Sequence, residues 1–322
     1  MWLLGVDAGG SHTRVGILHT GTGEWREGRA DGANWTVHGP QICAERLACA
    51  MSGAGGLPDA PCAAHLGFAG FYPPHHETEA RERLAQLLGR LDPVSIGSDL
   101  ETACSGALAG KPGVVVIAGT GSVVCGVAAG GRFERAGGWG PLVGDPGSGH
   151  ELGLKALRIS AEWVDSRGRA PRFLAKVLGE APTRQNVTEW IRSAYRDEWS
   201  REKIAELAPI LLEAASSGDG DAILAVNNSV IHLVVQVESV SKRLRLPPDF
   251  TLTYQGGLLT GSEYFRERLF QQAGDYRLKF APASPQLDPL RGAVLRAARS
   301  VSPTLEGAAL QHLGRRAGRA AP

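Results

Sequence analysis

The sequence lacks a charge excess, a long hydrophobic run and an export signal. Its 322 residues carry 34 basic and 33 acidic side chains, a formal net charge of +1, so no global field favours nucleic acid or an anionic membrane. No apolar stretch of the sequence approaches the roughly 20 residues of a membrane-spanning helix. The first residues have neither the basic segment nor the apolar length of a signal peptide. We therefore expect a cytoplasmic protein without nucleic-acid or membrane partners.

Cysteine is also scarce, with five residues that never pair with each other or with histidine at metal-ligand spacing. In a reducing compartment such isolated cysteines are most simply small buried apolar residues. The sequence therefore predicts neither a zinc site nor an iron–sulfur cluster within one chain. The five are Cys43, Cys49, Cys62, Cys104 and Cys125.

Glycine, by contrast, is abundant, with 43 residues concentrated at a few predicted strand ends. Near the N-terminus an apolar run ends on Asp7, and a second apolar run follows Gly9, Gly10, Ser11 and Thr13, a pattern that predicts a β-hairpin. Glycines leave backbone N–H groups open to a phosphate, and Asp7 is placed to hold a metal ion belonging to that phosphate. A plain hairpin turn with an incidental carboxylate accounts for this stretch equally well.

The same composition recurs at the turn Gly119-Thr120-Gly121-Ser122, which also lies between two apolar strands. Chance is the alternative, but the repeat favours two homologous lobes. The first lobe has the predicted order β-β-β-α-β-α-β-α, typical of a mixed sheet covered by helices on both faces. We expect a first lobe over 1–110 that is completed by a helix over 289–301, a second lobe over 111–288 with helical insertions, and a disordered tail over 302–322.

Three further residues are candidates for catalysis or ligand binding. Asp99 ends a short predicted strand just before a helix, where a carboxylate can act as a general base or simply cap the helix. Trp139 lies among four glycines, which favours an indole presented to a ligand over an ordinary core aromatic. Asp145 follows in the same loop, where contact with a sugar or a metal-bound water competes with a turn-stabilising role.

Five stretches in fixed order together resemble the sugar kinase–Hsp70–actin superfamily. They read Asp-Ala-Gly-Gly-Ser-His-Thr, Ser-Asp, Ala-Gly-Thr-Gly-Ser, Gly-Gly-Trp-Gly followed by Gly-Asp-Pro-Gly-Ser, and Gln-Gly-Gly-Leu. Over about residues 1 to 300 the chain is similar to the BadF/BadG/BcrA/BcrD ATPase family and its N-acetylglucosamine kinase branch. The resemblance implies an α/β actin-like ATPase fold, with two ribonuclease H-like lobes of five-stranded mixed sheets around a nucleotide cleft. It also implies ATP and Mg²⁺ as cofactors, and a homodimer.

The resemblance further implies site residues. Asp99 matches the catalytic base, and Asp7 would hold Mg²⁺ through water. Ala69 departs from the pattern, because the animal enzymes usually have a serine there. The residues that match the ATP motifs are Gly9, Gly10, Ser11, Thr13, Gly119, Thr120, Gly121, Ser122, Gly256, Gly257 and Leu258. Those that match sugar contacts are Asn34, Asp99, Thr120, Gly121, Trp139, Gly140, Asp145 and Gly149.

The predicted function is ATP-dependent phosphorylation of the 6-hydroxyl of N-acetylglucosamine or glucosamine. One alternative is a BadF-type ATPase that activates an acyl-CoA reductase or dehydratase. Such activators hold an iron–sulfur cluster across a dimer, and here only Cys104 and Cys125 lie near the required region. The other alternative is a non-catalytic sugar sensor, which would show a damaged base or phosphate turn.

Overall fold

The computed structural model describes residues 1–72, 75–85 and 89–317, the last three by backbone only. The chain divides into two compact units. Unit 1 comprises Met1–Pro112, Ala129–Gly131 and the chain from Ser284 onward. Unit 2 comprises Gly113–Ala128 and Arg132–Ala283. Each unit contains one five-stranded sheet.

The sheet of unit 1 has the order β3-β2-β1-β4-β5. Its first three strands pair antiparallel, while β1, β4 and β5 run parallel, so the sheet is mixed as predicted. Its strands are β1 (Trp2–Ala8), β2 (His12–His19), β3 (Trp25–Asp31), β4 (Cys62–Phe68) and β5 (Val94–Ser98). The helices that follow them are α1 (Trp35–Gly53), α2 (Glu77–Arg83) and α3 (Asp99–Ala107). The charged sequence over 77–90 predicts one helix with leucines on its inward face, of which Leu87 and Leu88 lie outside the described residues.

Side chains alternate along β1, so its residues pack into a separate core on each face of the unit 1 sheet. Leu4 points into one core with Leu47 and Leu66, whereas Leu3 points into another with Val294. Val294 belongs to helix α12 (Pro289–Val301), near the C-terminal end of the described chain. Helix α12 therefore packs on the sheet formed by the first 100 residues.

The sheet of unit 2 has the order β10-β9-β6-β7-β8, which repeats the order and the strand directions of unit 1. This equivalence confirms the internal repeat predicted from the two hairpins. Its strands are β6 (Gly113–Ala118), β7 (Ser122–Val127), β8 (Phe133–Gly137), β9 (Phe250–Gln255) and β10 (Phe280–Pro282). Its helices are α4 (Gly149–Val164), α5 (Leu174–Leu178), α6 (Arg184–Arg196), α7 (Arg201–Ala205), α8 (Ala208–Ser216), α9 (Gly220–Leu244), α10 (Gly257–Gly261) and α11 (Glu263–Asp275).

Two local predictions for unit 2 were wrong. Strand β8 was missed, because its sequence Phe-Glu-Arg-Ala-Gly is only half-buried and has no apolar alternation. The sequence over 201–216 also predicts a single helix, but the structure has two, α7 and α8, separated at residues 206–207. Pro209 near the start of α8 supplies the reason, since proline is favoured in a first helical turn and cannot continue a helix from before.

Helix α9 has the length and mean hydropathy of a membrane span, which the sequence was expected to lack. Eleven of its residues are nevertheless buried in unit 2, including Val226, Val230 and Leu233. This one-sided burial is the packing of a core helix.

The prediction of a disordered C-terminal tail is wrong for most of its length. Residues expected to be disordered form helix α13 (Pro303–Ala317), although 318–322 lie outside the described residues. Ala309 and Leu313 are completely buried against α12, and Leu305 packs beside them. The arginine, glycine and alanine content of the tail concealed a stripe of apolar residues spaced four apart, which is the helical period.

Candidate functional site

The first glycine turn joins β1 to β2 at one end of the unit 1 sheet. The N–H of Gly9 donates to the carbonyl of His12 over 2.9 Å and closes the hairpin. A Cβ on Gly32 would lie 2.0 Å from the carbonyl oxygen of Gly10, so the chain passes directly behind the turn. Gly10 and Ser11 are exposed at its tip. The turn is therefore fixed from behind and open in front, as a phosphate-binding turn requires.

Thr13 is not at the tip of this turn. Its side chain is completely buried, and its hydroxyl donates to the carbonyl of Asp31 over 2.8 Å. The Thr13 hydroxyl thus ties β2 to β3, and only the preceding residues of the motif face outward.

Asp7 lies on β1 opposite Arg14 of β2, and its Oδ2 accepts a hydrogen bond from Arg14 Nη2 over 2.7 Å. Burial raises the pKa of the Asp7 carboxyl above its ordinary value, although Arg14 acts in the opposite direction. Next to the turn lies a cleft of about 450 Å³, large enough for a phosphate group. Its lining residues are Asp7, Gly9, Ser11, His12, Arg14, Arg29 and Ala30.

Asp99 is the first residue of α3, immediately beyond β5. The position before it, the N-cap, is taken by Ser98, whose N–H donates to Glu101 Oε2 over 3.0 Å. Asp99 is therefore not the helix cap that the simpler interpretation required. Burial raises the pKa of its carboxyl from an ordinary 3.8 to about 7, and the negative charge of Asp7 acts in the same direction. A carboxylate with a pKa near neutrality is well matched to general-base catalysis.

Gly67 on β4 allows α3 to pack closely against the sheet of unit 1. In register it lies beside Asp7 on one side and Gly97 on the other. A Cβ on Gly67 would come within 2.3 Å of Thr102 Cγ2, so only glycine fits. The Thr102 hydroxyl in turn donates to the carbonyl of Asp99 over 2.6 Å. The first turn of α3 therefore packs against Gly67, the residue of β4 that pairs with Asp7.

Asn34 is the N-cap of α1. Its Oδ1 accepts hydrogen bonds from the N–H groups of Thr36 and Val37 over 3.1 and 3.2 Å. A Cβ on Gly70 would lie 2.3 Å from the same oxygen, so the chain after Ala69 passes close to this cap. The side-chain carbonyl of Asn34 therefore has a structural use in unit 1.

The second glycine turn joins β6 to β7 in unit 2 and is held by the loop that precedes α4. The N–H of Gly149 donates to the carbonyl of Gly119 over 2.7 Å, and that of His150 donates to the carbonyl of Thr120 over 3.2 Å. The Ser122 hydroxyl donates to the carbonyl of Pro146 over 2.7 Å. Gly149 and Ser122 are consequently buried, whereas Thr120 is exposed. The structure thus brings the turn at residues 119–122 into contact with the glycine-rich loop before α4.

Asp145 is held by an arginine that the sequence analysis missed. Its Oδ2 accepts from Arg201 Nη2 over 2.5 Å and its Oδ1 from the N–H of Gly140 over 3.2 Å. Asp145 is buried and has a φ of 59°, an uncommon conformation for a residue other than glycine. A Cβ on Gly121 would lie 2.5 Å from Arg201 Nη2, so the guanidinium lies against the second turn. Burial and this guanidinium lower the pKa of His150.

Trp139 is exposed to solvent and is not a core aromatic, while its contact with a ligand stays a prediction. Its side chain is 69% exposed, and the Arg135 guanidinium lies 4.9 Å from the ring centroid. Gly138 and Gly140 on either side have φ values of 69° and 87°, which other residues rarely adopt. The indole is therefore not part of the unit 2 core and is free to stack on a flat ligand face.

Gly256 and Gly257 separate β9 from α10 beside a large cleft. Gly256 has a φ of 91°, and a Cβ there would lie 2.3 Å from the carbonyl oxygen of Ala118. A Cβ on Gly257 would meet nothing within 4 Å. The adjoining cleft has a volume of about 740 Å³, ample for a nucleoside. Its lining residues are Pro209, Leu212, Glu213, Ser216, Gly257, Leu258, Gly261, Ser262, Glu263, Tyr264 and Glu267.

Cys104 and Cys125 lie inside the two units. Cys104 on α3 is 2% exposed and Cys125 on β7 is completely buried. Among the described residues no three His, Cys, Asp or Glu side chains are grouped as metal ligands. Neither thiol is placed to share a cluster with a second chain without a rearrangement of its unit.

Two mixed sheets of the same strand order, each with a glycine hairpin at its first strand, define the actin-like ATPase and sugar kinase fold. The chain belongs to the BadF/BadG/BcrA/BcrD ATPase family, whose profile matches residues 4–297. The family membership confirms the resemblance inferred from the five stretches.

Curated relatives agree with this assignment. The chain is 30% identical over 241 residues to an N-acetyl-D-glucosamine kinase of Dictyostelium discoideum, covering 73% of this chain and 75% of the relative. It is 28% identical over 184 residues to an N-acetylmuramic acid/N-acetylglucosamine kinase of Clostridium acetobutylicum, covering 57% of this chain. That match spans 60% of the length of the Clostridium relative. Among solved structures, a candidate N-acetylglucosamine kinase of Chromobacterium violaceum is similar with a TM-score of 0.63 and 25% identity, covering 92% of this chain and 98% of that one.

Proposed function

We propose that the protein is an ATP-dependent kinase that phosphorylates the 6-hydroxyl of N-acetylglucosamine or glucosamine. The observation that carries the proposal is the Asp99 carboxyl, which stands at the start of α3 with a pKa raised to about 7. In a member of this ATPase family with relatives named as amino-sugar kinases, such a group has an evident use as the base.

In the proposed reaction the oxygen of the sugar hydroxyl bonds to the γ-phosphorus of ATP. The Asp99 carboxylate accepts the proton that this hydroxyl loses. The bond between that phosphorus and the bridging oxygen of ADP breaks, so the products are the sugar phosphate and ADP. Because phosphoryl transfer depends mainly on positioning and charge neutralisation, the remaining residues act by binding.

Asp7 fits a Mg²⁺ ion that accompanies ATP. Mg²⁺ prefers oxygen ligands and is commonly held by one or two carboxylates together with substrate phosphates. Arg14 engages Oδ2 of Asp7, and the second oxygen of that carboxylate supplies a donor of the required kind, directly or through water. When bound, Mg²⁺ neutralises charge on the phosphate oxygens.

We propose that the backbone of each glycine turn binds phosphate groups of ATP and that the cleft beside α10 in unit 2 binds its adenosine. At the first turn the exposed residues are Gly10 and Ser11; at the second Thr120 is exposed and Gly121 is half-buried. The cleft next to Gly257 and Leu258 would take the adenosine. Backbone amides of this kind bind anions without selecting the sugar.

For the sugar we propose stacking on Trp139 and hydrogen bonds to Asp145. The Asp145 carboxylate has about four acceptor sites, of which Gly140 and Arg201 use two, so acceptor capacity is left for sugar hydroxyls. Arg201 holds this carboxylate in place. Asn34, at the cap of α1, is the proposed sugar contact of unit 1.

A steady-state kinase assay with N-acetylglucosamine, glucosamine, N-acetylmuramic acid and glucose tests the proposal. We expect turnover with at least one amino sugar and loss of turnover in Asp99→Asn, with ATP and sugar binding retained in that variant. Amino-sugar binding without phosphoryl transfer by the unaltered protein would favour a sugar sensor. ATP hydrolysis without an amino-sugar acceptor would favour an activating ATPase. The homodimer and the cytoplasmic location stay predictions, for sedimentation and fractionation to test.

A further inference from the structure

A network of polar side chains, with His65 buried and the others partly buried, joins β4, β5, α3 and α12 in unit 1. Arg296 on α12 donates from Nε to His65 Nε2 over 3.1 Å and from Nη2 to Glu101 Oε1 over 3.1 Å. The other ring nitrogen of His65 lies 2.8 Å from the hydroxyl of Ser95. The other carboxylate oxygen of Glu101 accepts the N–H of Ser98. The network therefore runs from β4 and β5 through α12 to the residue directly before Asp99.

The donors and acceptors of this network have only one consistent arrangement. A guanidinium can only donate, so His65 Nε2 must accept and the proton of the ring must reside on Nδ1, which donates to Ser95. His65 is 1% exposed, and burial together with the nearby Arg296 lowers its pKa well below the ordinary value. The histidine is thus held neutral in a single tautomer.

Glycines set how closely these groups approach. A Cβ on Gly97 would lie 2.1 Å from Glu101 Oε2 and 3.3 Å from His65 Cε1, so a larger residue there would displace the carboxylate. A Cβ on Gly292 of α12 would lie 2.1 Å from the carbonyl oxygen of Thr102 on α3. The two helices are therefore in backbone contact, which fixes the distance across which Arg296 reaches Glu101.

We propose that Glu101, Arg296 and His65 are positioning residues that fix the orientation of the Asp99 carboxylate toward the sugar hydroxyl. The proposal rests on the proposed function, because it takes Asp99 as the base. Glu101 anchors the backbone immediately before Asp99, while Arg296 and His65 anchor Glu101. Since a misplacement of about 1 Å can lower a rate by about 100-fold, loss of this anchor would act on turnover more than on binding.

The test compares Glu101→Gln and Arg296→Gln with Arg299→Gln. Arg299 is on the same helix and has its own carboxylate partner, Glu306 of α13, so its replacement removes an equivalent charge and ion pair away from Asp99. In Glu101→Gln the side-chain amide cannot accept from both Ser98 and Arg296. We expect kcat to fall by about 10- to 100-fold in the two network variants, with KM for sugar and ATP nearly unchanged and no loss in the control.

A second readout does not depend on turnover. In the unaltered protein, ¹⁵N spectra of the His65 ring should show a protonated Nδ1 and a hydrogen-bonded, unprotonated Nε2. Arg296→Gln should alter the Nε2 signal, and Arg299→Gln should not.

Several results would overturn the proposal. Folded Glu101→Gln and Arg296→Gln proteins that turn over like Arg299→Gln would refute it, as would losses that only follow the folded fraction. Failure of both network variants to fold would assign the network to the fold and not to the base. Turnover by Asp99→Asn would instead remove the base itself and with it the proposed mechanism, an outcome that the network variants alone do not produce.

Discussion

The raised pKa of Asp99 predicts that this residue weakens the fold as the pH rises. With an ordinary pKa of 3.8 in the unfolded chain and about 7 in the folded protein, Asp99 binds its proton more tightly in the folded state. Its contribution to stability is therefore fully present below about pH 4 and lost as the pH rises through about 7. Three pKa units at about 1.36 kcal/mol each give a maximum loss of about 4 kcal/mol.

Asp99→Asn replaces the carboxyl by an amide that resembles its protonated form and does not titrate. We expect this variant to match the unaltered protein below about pH 4, and its excess in free energy of unfolding to grow by about 3 kcal/mol between about pH 5 and about pH 8. Urea denaturation of the ligand-free proteins across this range measures the difference. Asp59→Asn, which removes a carboxylate whose side chain is 96% exposed, is the control. A difference between Asp99→Asn and the unaltered protein that does not change with pH would refute the reasoning.

Two further predictions concern unit 2. Gly256→Ala should abolish ATP binding or folding, because it combines a positive φ with a Cβ 2.3 Å from the carbonyl oxygen of Ala118; calorimetric titration with ATP and a melting curve distinguish these two effects, and unchanged affinity would contradict the prediction. Arg201→Gln should raise KM for the sugar by about 10-fold or more, because it leaves the buried Asp145 without its charged partner. The same variant should raise the pKa of His150, which Arg201 lowers, and an NMR titration with no upward shift would contradict this.

The strongest sequence predictions came from short stretches with their own turn chemistry. The hairpin turns at Gly9 and Gly119 predicted where strands meet and that the two units repeat one topology, and both predictions are confirmed. Strand β8 was missed because its five residues carry no apolar alternation, and its place in the sheet comes from pairing with β7. Helix α13 was missed for the opposite reason, since composition concealed a periodic stripe that becomes evident once α12 is beside it.

For the candidate site, local sequence patterns identify the residues that are chemically suited to their roles. Glycine and hydroxyl residues at two strand ends, Asp99 before a helix and Trp139 among glycines are local patterns, and each is set by neighbours within a few residues. Their resemblance to the BadF/BadG/BcrA/BcrD ATPases depended on the order of these same local patterns, and the family profile confirms it.

How these residues are used depends on contacts between segments that are far apart in the chain. It buried the Thr13 hydroxyl and paired Asp145 with Arg201, which lies 56 positions later in the chain. It also placed Arg296 on Glu101 across 195 positions and raised the pKa of Asp99. Burial and long-range charge pairs depend on which distant segments share one interior. Local periodicity and turn preferences do not indicate which distant segments pack together.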